Sequence, residues 1–322
     1  MKTPLGVLAF TVALVSPFTA SAQDFSGAVT LGYSHRSLDV VPGFELKSNA
    51  LTLDGQIDFK LDSGLTFGAR YNSFNLNLAN LPIDLKGNLI GLNVGYDVSE
   101  NFSAGVFLEQ SQIGADIGPM SISDAAGLQT MGIEGSYSTG NLEFGAFVAK
   151  SDITGALGGL IGAGGVSVDV TSFGLSAKYE ANSDLLVGGT FMRTSADIGG
   201  PSYDIDYIGI AAVYGLNDTV NLFGGLSQTR QSDLEAKINT IAIGGSYDLS
   251  ATAGFPLVAS LELARTDLKV GLLPGLEPKS NSIRLGLTMP LGKGSVKAPL
   301  NSTADAILNP SHDVLSQTLM NF

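Results

Sequence analysis

The residues that could do chemistry in this chain are few. The only imidazoles are His35 and His312, and none of the 322 residues is Cys. Ser34 and Ser37 stand beside His35, so a Ser-His-acid nucleophile is conceivable there. Nothing in the spacing fixes the geometry that such a triad requires. His35 also lacks a neighbouring His, Cys or closely spaced acid to complete a transition-metal site. The absence of Cys removes thiolate ligands, disulfides and Cys nucleophiles. Asp204 and Asp206 flank Ile205 on one face of a strand, where they suit a bridging divalent cation or a solvated acidic rim. The Gly-rich stretch from Gly155 to Gly165 has neither the Lys-Ser/Thr pair nor the following helix of a phosphate-binding loop. It reads as an inward constriction or as an outer loop. No enzyme, cofactor or metal centre is expected.

The other charges form a pattern. Asp54, Asp58, Lys60, Arg70, Glu109, Glu134, Glu143, Lys178, Glu262 and Arg284 all fall on the polar parity of alternating segments. Burying such groups in a dry core costs several kcal/mol each unless they are paired. Facing a hydrated lumen, they lose most of that cost. These ten are therefore candidate pore-lining residues, and their acidic excess implies a mild cation preference. An internal ladder of ion pairs that blocks the pore is the competing expectation. The net charge of −13 and isoelectric point near 4.4 argue against a nucleic-acid partner.

The elements that carry these residues are strands. From Gln129 to Asp152, Met131, Ile133, Gly135 and Tyr137 alternate with Thr130, Gly132, Glu134 and Ser136. A turn at Thr139, Gly140 and Asn141 reverses the chain. Leu142, Phe144, Ala146 and Val148 then alternate with Glu143, Gly145, Phe147 and Ala149. The same hairpin recurs along the chain, giving about fourteen alternating segments from Phe25 to Leu291. An even count lets every strand pair antiparallel when a barrel closes. Only 15% of residues are charged and mean hydropathy is +0.25, whereas soluble domains carry about 25% charged residues. A soluble barrel would turn its apolar face inward and leave charges outside. Here the other face is dominated by Gly, Ser, Thr and Ala, which suits a crowded polar lumen.

Connections alternate in length. Those after even strands are short and rich in Asn, Asp, Ser and Gly; those after odd strands are longer, as at Phe74 to Lys86 and Ser111 to Gly127. Strands reaching the short-turn rim end on an aromatic: Phe59, Tyr96, Tyr137, Tyr179, Tyr214 and Tyr247. Rings there suit the membrane interface. Lys150, Arg193 and Arg265 lie late on the apolar face of outgoing strands, where a long cation can snorkel to lipid or lipopolysaccharide phosphates.

Two segments lie outside the repeat. Residues 1–22 read as a cleavable signal peptide: Lys2, an apolar run from Leu5 to Val15, then Ala20-Ser21-Ala22. Residues 293–322 read as a periplasmic tail below a barrel of residues 23–292. Ser302-Thr303-Ala304-Asp305 resembles a capping box, and Val314, Leu315, Leu319 and Phe322 recur at helical spacing. Docking beneath the barrel is the simple role for this tail, and a partial plug the sharper one.

Signal peptide, alternating strands, tight inner turns, long outer loops and an aromatic rim together resemble Gram-negative outer-membrane β-barrels, broadly porin-like. The resemblance is architectural and covers about Phe25 to Leu291. It implies an all-β, transmembrane, antiparallel up-and-down barrel with short periplasmic turns and longer extracellular loops. The expected function is passive passage of small hydrophilic solutes or ions across the outer membrane. The alternatives are a closed structural or surface-interaction barrel and a transporter of apolar compounds.

Overall fold

The computed structural model describes residues 24–41, 43–79, 81–271, 277–293 and 296–320; the expected signal peptide, residues 1–22, lies outside them. Fourteen antiparallel strands close into one barrel in which each strand pairs with its sequence neighbours and the last pairs with the first. The first seven are β1 Asp24–Val41, β2 Phe44–Lys60, β3 Leu65–Leu78, β4 Ile83–Asp97, β5 Phe102–Ile117, β6 Met120–Thr139 and β7 Leu142–Thr154. The rest are β8 Val168–Glu180, β9 Leu185–Ile198, β10 Ser202–Gly215, β11 Val220–Gln231, β12 Ala236–Asp248, β13 Val258–Val270 and β14 Lys279–Gly292. No helix among the described residues is long and apolar enough to cross a membrane; the strands make the crossing, since a closed sheet satisfies its own backbone groups in lipid.

Parity sets the two faces. Met131, Ile133 and Tyr137 are exposed on the outside of β6, and Thr130, of the opposite parity, is buried inside. On the inner face, hydroxyls pair across neighbouring strands, as at Thr130–Ser151, Ser172–Thr194 and Thr240–Thr266. The closing seam uses the same device: Thr30 opposes Thr288 in register, with their hydroxyl oxygens 2.8 Å apart. Such cross-strand contacts are the unit of sheet stabilisation.

The inner turns are built by their side chains. Asn182 Oδ1 accepts from the amides of Asp184 and Leu185, and Asn217 Oδ1 from those of Thr219 and Val220. These Asx turns reverse the chain in four residues. The outer connections reach further, but much of their length is strand. β5 and β6 continue pairing to Ile117 and Met120, well into the stretch expected to be loop. Pairing satisfies backbone groups that a loop would leave to water, so the ribbon outlasts the apolar alternation that marks the lipid-facing part. The Gly-rich connection after β7 forms helix α1, Gly155–Ala163, which packs on β6 and β7. A short helix, α2 Ser250–Ala253, follows β12.

The largest departure from expectation is the tail. β14 ends at the short-turn rim, where Gly292 pairs with Ser26. The chain then turns into the barrel instead of docking beneath it. Helix α3, Thr303–Leu308, lies against β9, β10 and β11, and helix α4, Val314–Met320, reaches β3, β4, β9 and β10. Ser302 caps α3 as the capping-box reading expects, its Oγ accepting from the Asp305 amide at 3.1 Å. The described tail is helical but internal, and its apolar side chains pack on a matching apolar surface of the inner wall. Met192, Tyr207, Ala211, Val213 and Phe223 of β9–β11 form one cluster with Ala304, Ile307, Leu308 and Val314. Fully burying an aliphatic side chain of this kind contributes about 1.5–3 kcal/mol.

Candidate functional site

The candidate site is the lumen together with the segment inside it. The wall grips the tail largely by its main chain. Thr190 Oγ1 donates to the Ile307 carbonyl at 2.8 Å, and Thr194 Oγ1 accepts from the Val314 amide at 3.0 Å. Arg70 donates to the carbonyls of Asn309 and Pro310 at 2.6 and 3.4 Å. Glu109 accepts the His312 amide at 3.1 Å, and Glu262 accepts the Thr303 amide at 3.0 Å. Nearer the short-turn rim, Thr30 Oγ1 accepts from the Leu300 amide and Ser246 Oγ donates to the Lys297 carbonyl. These residues come from strands all round the barrel, and alternation alone places each of them inside.

Two charged clusters brace the tail. Arg284 Nη1 donates to Glu262 Oε1 at 2.6 Å, and Thr303 Oγ1 bonds both partners at 3.1 Å. Both charged side chains are buried, so each depends on the other for compensation. The second cluster centres on His312. Its Nδ1 is 2.7 Å from Glu109 Oε1 and its Nε2 is 3.3 Å from Glu134 Oε2. Its ring stacks on Phe107 at 3.6 Å between centroids, and Phe147 meets it edge-on at 4.9 Å. Burial pulls the His312 pKa down, but Glu109 and Glu134 overcome that and hold it at about 9. Burial pushes the Asp305 and Asp313 carboxyls up to about 6.

Beside this segment a cavity of about 320 Å³ remains, bounded by β2–β9 and by Leu308–Pro310 and His312 of the tail. Asp58, Arg70, Glu109, Glu134, Glu143 and Lys178 all line it. Glycines keep its aromatic wall flat. The Phe147 ring lies where a Cβ on Gly174 would stand, 2.1 Å from that position, and Phe107 covers Gly132 in the same way at 2.5 Å.

The ten residues read as pore-lining face inward, but the structure distributes them among different tasks. Arg70, Glu109, Glu134, Lys178, Glu262 and Arg284 bond the tail or one another. Lys178 reaches Asn309 Oδ1 at 3.1 Å and Glu143 at 3.4 Å. Asp54 is buried and accepts from Asn72 at 2.8 Å. Asp58 accepts from Gln56 at 3.0 Å. Lys60 sits at the short-turn rim, 2.6 Å from Asp97. The candidate pore-lining charges are therefore grouped around an internal peptide and in part paired with one another. Sequence reasoning missed Phe107, Phe147, Thr190 and Thr194 as contact residues. The two large rings on a face otherwise made of small residues were the available signal.

On the outside, Tyr96, Tyr137, Tyr179, Tyr214 and Tyr247 are exposed at the short-turn rim, and Phe59 is half-buried there. The three outer cations are not bare. Arg193 forms a forked pair with Asp206 at 2.6 and 2.9 Å and lies 3.5 Å from Asp204. Lys150 is 3.0 Å from Asp169, and Arg265 is 3.3 Å from Asp267. Asp204 also accepts from Ser195, so the Asp204–Asp206 pair is occupied by Arg193. His35 faces outward, its Nδ1 2.8 Å from Asn49 Oδ1, which also accepts from Tyr33.

Comparison with known proteins agrees with this architecture. A search of curated proteins finds no match. Among solved structures, the chain resembles an anion-selective porin from Comamonas acidovorans with a TM-score of 0.51 and 11% identity, over 83% of this chain and 99% of that one. It also resembles a FadL homologue from Pseudomonas aeruginosa (TM-score 0.52, 13% identity, 84% of this chain and 93% of that one). A third likeness is the toluene transporter TbuX from Ralstonia pickettii (TM-score 0.51, 11% identity, 82% and 89%). At these identities the likeness shows a shared barrel fold. The family model described as Gram-negative porin matches residues 60–234, more than half of the sequence, and the chain belongs to that family of outer-membrane channels.

Proposed function

We propose that this barrel is a passive outer-membrane channel for small hydrophilic solutes and ions, mildly cation-preferring, whose width is set by its own C-terminal segment. The observation that carries this reading is the set of charged side chains lining the cavity beside the tail. The lining holds four carboxylates, Asp58, Glu109, Glu134 and Glu143, against Arg70, Lys178 and His312. Arg70 and Lys178 are engaged by the tail, and Glu134 and Glu143, although they meet His312 and Lys178, keep part of their side chains exposed to solute. A fourteen-stranded barrel is wider than one that side chains fill, near eight strands. The segment inside therefore decides how much of that width is open. No step in this function needs a catalyst or cofactor; the outer partners are membrane lipid and lipopolysaccharide.

Planar-bilayer recording of the refolded chain tests the proposal. Stepwise single-channel currents with a reversal potential displaced toward the cation are expected, and truncation after Gly294 raises the conductance. A second reading, a closed structural barrel acting at its surface, is favoured by the extent to which the tail fills the lumen. It predicts no current from the full chain.

A further inference from the structure

The tail is held in a way that suits more than one peptide. Inward side chains from β1, β3, β5, β9, β12 and β13 bond eight of its residues through main-chain amides or carbonyls. An amide or carbonyl is the one feature that every peptide offers at regular spacing. Main-chain contacts give affinity without demanding a sequence, and pockets for particular side chains then add preference. Two such pockets are present. The trough on β9–β11 takes the aliphatic side chains of Ile307, Leu308 and Val314. The carboxylates of Glu109 and Glu134, with the Phe107 ring beneath, take the imidazole of His312.

We infer that the lumen is a peptide-binding site, that the C-terminal segment is its tethered occupant, and that short peptides carrying aliphatic residues and a nearby basic side chain are the solutes it takes. This deepens the channel reading above and rests on it for passage, though not for binding. Glu109 and Glu134 would receive the ammonium, guanidinium or imidazole group, and Arg70, Thr190 and Thr194 the main chain. Free sugars and single amino acids match the pattern poorly, since they lack repeated amides spanning from Thr190 to Arg70 and Glu109.

The test keeps the full chain through folding. A protease site is inserted between residues 294 and 295, the protein is folded in detergent, and the junction is then cut. A fluorescent synthetic peptide of residues 296–320 is added and its exchange into the barrel is followed by anisotropy. Saturable uptake is expected only after cutting. A peptide of unrelated sequence that keeps an aliphatic pair and a His five residues on should displace it. A neutral trisaccharide of similar size should not. Methylating the peptide nitrogens at His312 and Val314 should weaken binding by roughly tenfold or more, the loss of two hydrogen bonds, one of them to a charged acceptor. Glu109→Gln with Glu134→Gln should weaken the His-bearing peptide and spare one with Ala at that place. If the cut segment neither leaves nor exchanges, or if only the native sequence binds, the inference is overturned and the tail is a fixed part of the barrel. Recording currents from the same cut protein separates the two readings. Current without peptide block leaves the channel standing and removes the peptide; binding without current does the reverse.

Discussion

His312 and Glu109 are 203 residues apart in sequence and are joined twice: the imidazole Nδ1 lies 2.7 Å from Oε1, and the His312 amide donates to Oε2 at 3.1 Å. Glu134, on the next strand, meets the other ring nitrogen. Both ring nitrogens therefore face carboxylates, an arrangement that only the doubly protonated ring satisfies with two donors.

The first prediction follows from that charge. The His312 pKa stands at about 9 in the docked tail, above its ordinary value near 6.5. Docking stability from this group is therefore fully present below about pH 6.5 and is lost as pH rises through 9. At most it is on the order of 3 kcal/mol. Asp305 and Asp313 act in the same direction in a lower window, since their carboxyls are raised to about 6 and docking weakens as they ionise between about pH 4 and 6. The charged groups acting on His312 are Glu109 and Glu134, with Asp313 beside it, and Arg70 acts in turn on Glu109. Hydrogen exchange of the tail amides should accelerate between pH 7 and 10 beyond the intrinsic base-catalysed rate. In His312→Gln that excess should disappear; an unchanged profile would exclude His312 as the latch.

The apolar half of the grip can be tested separately. Ile307 is fully buried against Gly209 and Gly225, where a Cβ would stand within 2.8 and 2.7 Å of its side chain. Ile307→Ala removes this fit and should cost about 2–5 kcal/mol of docking. The barrel, whose closure lies between β1 and β14, should keep its strand content by circular dichroism. The expected readout is a rise in mean single-channel conductance or opening frequency with no loss of folded protein.

How much of this was legible in the sequence depends on the distance over which residues act. Strand parity is a local property, so the inward position of Glu134 and the outward position of Tyr137 could be read from neighbours alone. The Ser302 cap could be read for the same reason. The partners of His312 could not, because barrel curvature and a chain reversal at Gly292 bring them together, and neither leaves a mark near His312. The outer cations were half legible. Their height on the apolar face was visible, but the pairing of Arg193 with Asp206 depends on the β9–β10 register, which extends beyond the apolar alternation.

Glu262 and Arg284 should behave as a buried pair. They face each other across β13 and β14, with side chains 2% and 6% exposed, and Glu262 also receives the tail at Thr303. Glu262→Ala removes the acceptor for both and should cost about 3–5 kcal/mol. Thermal unfolding in detergent would show it as a lowered midpoint. The joint change Glu262→Leu with Arg284→Met should recover much of the loss, because apolar pairs of similar volume often replace buried ion pairs without penalty.

Selectivity isolates the part of the lumen that solute meets. Glu143 is about half exposed on its side chain and Glu134 about a third, whereas Glu109 and Glu262 are buried in the grip on the tail. Reversing the two accessible carboxylates, Glu134→Lys with Glu143→Lys, changes the cavity lining by four charges; neither bonds the main chain of the tail, and Glu134 meets only its His312 ring. Across a salt gradient the reversal potential should move toward the anion. The effect should shrink as ionic strength rises and the screening length falls from about 10 Å at 0.1 M to about 3 Å at 1 M. Glu143→Lys alone also faces Lys178 and should give the smaller shift of the two single changes, because Lys178 then repels the new ammonium toward solvent. A reversal potential unmoved by the double change would mean that ions do not pass through the cavity bounded by β2–β9. The conducting path would then have to lie elsewhere in the barrel.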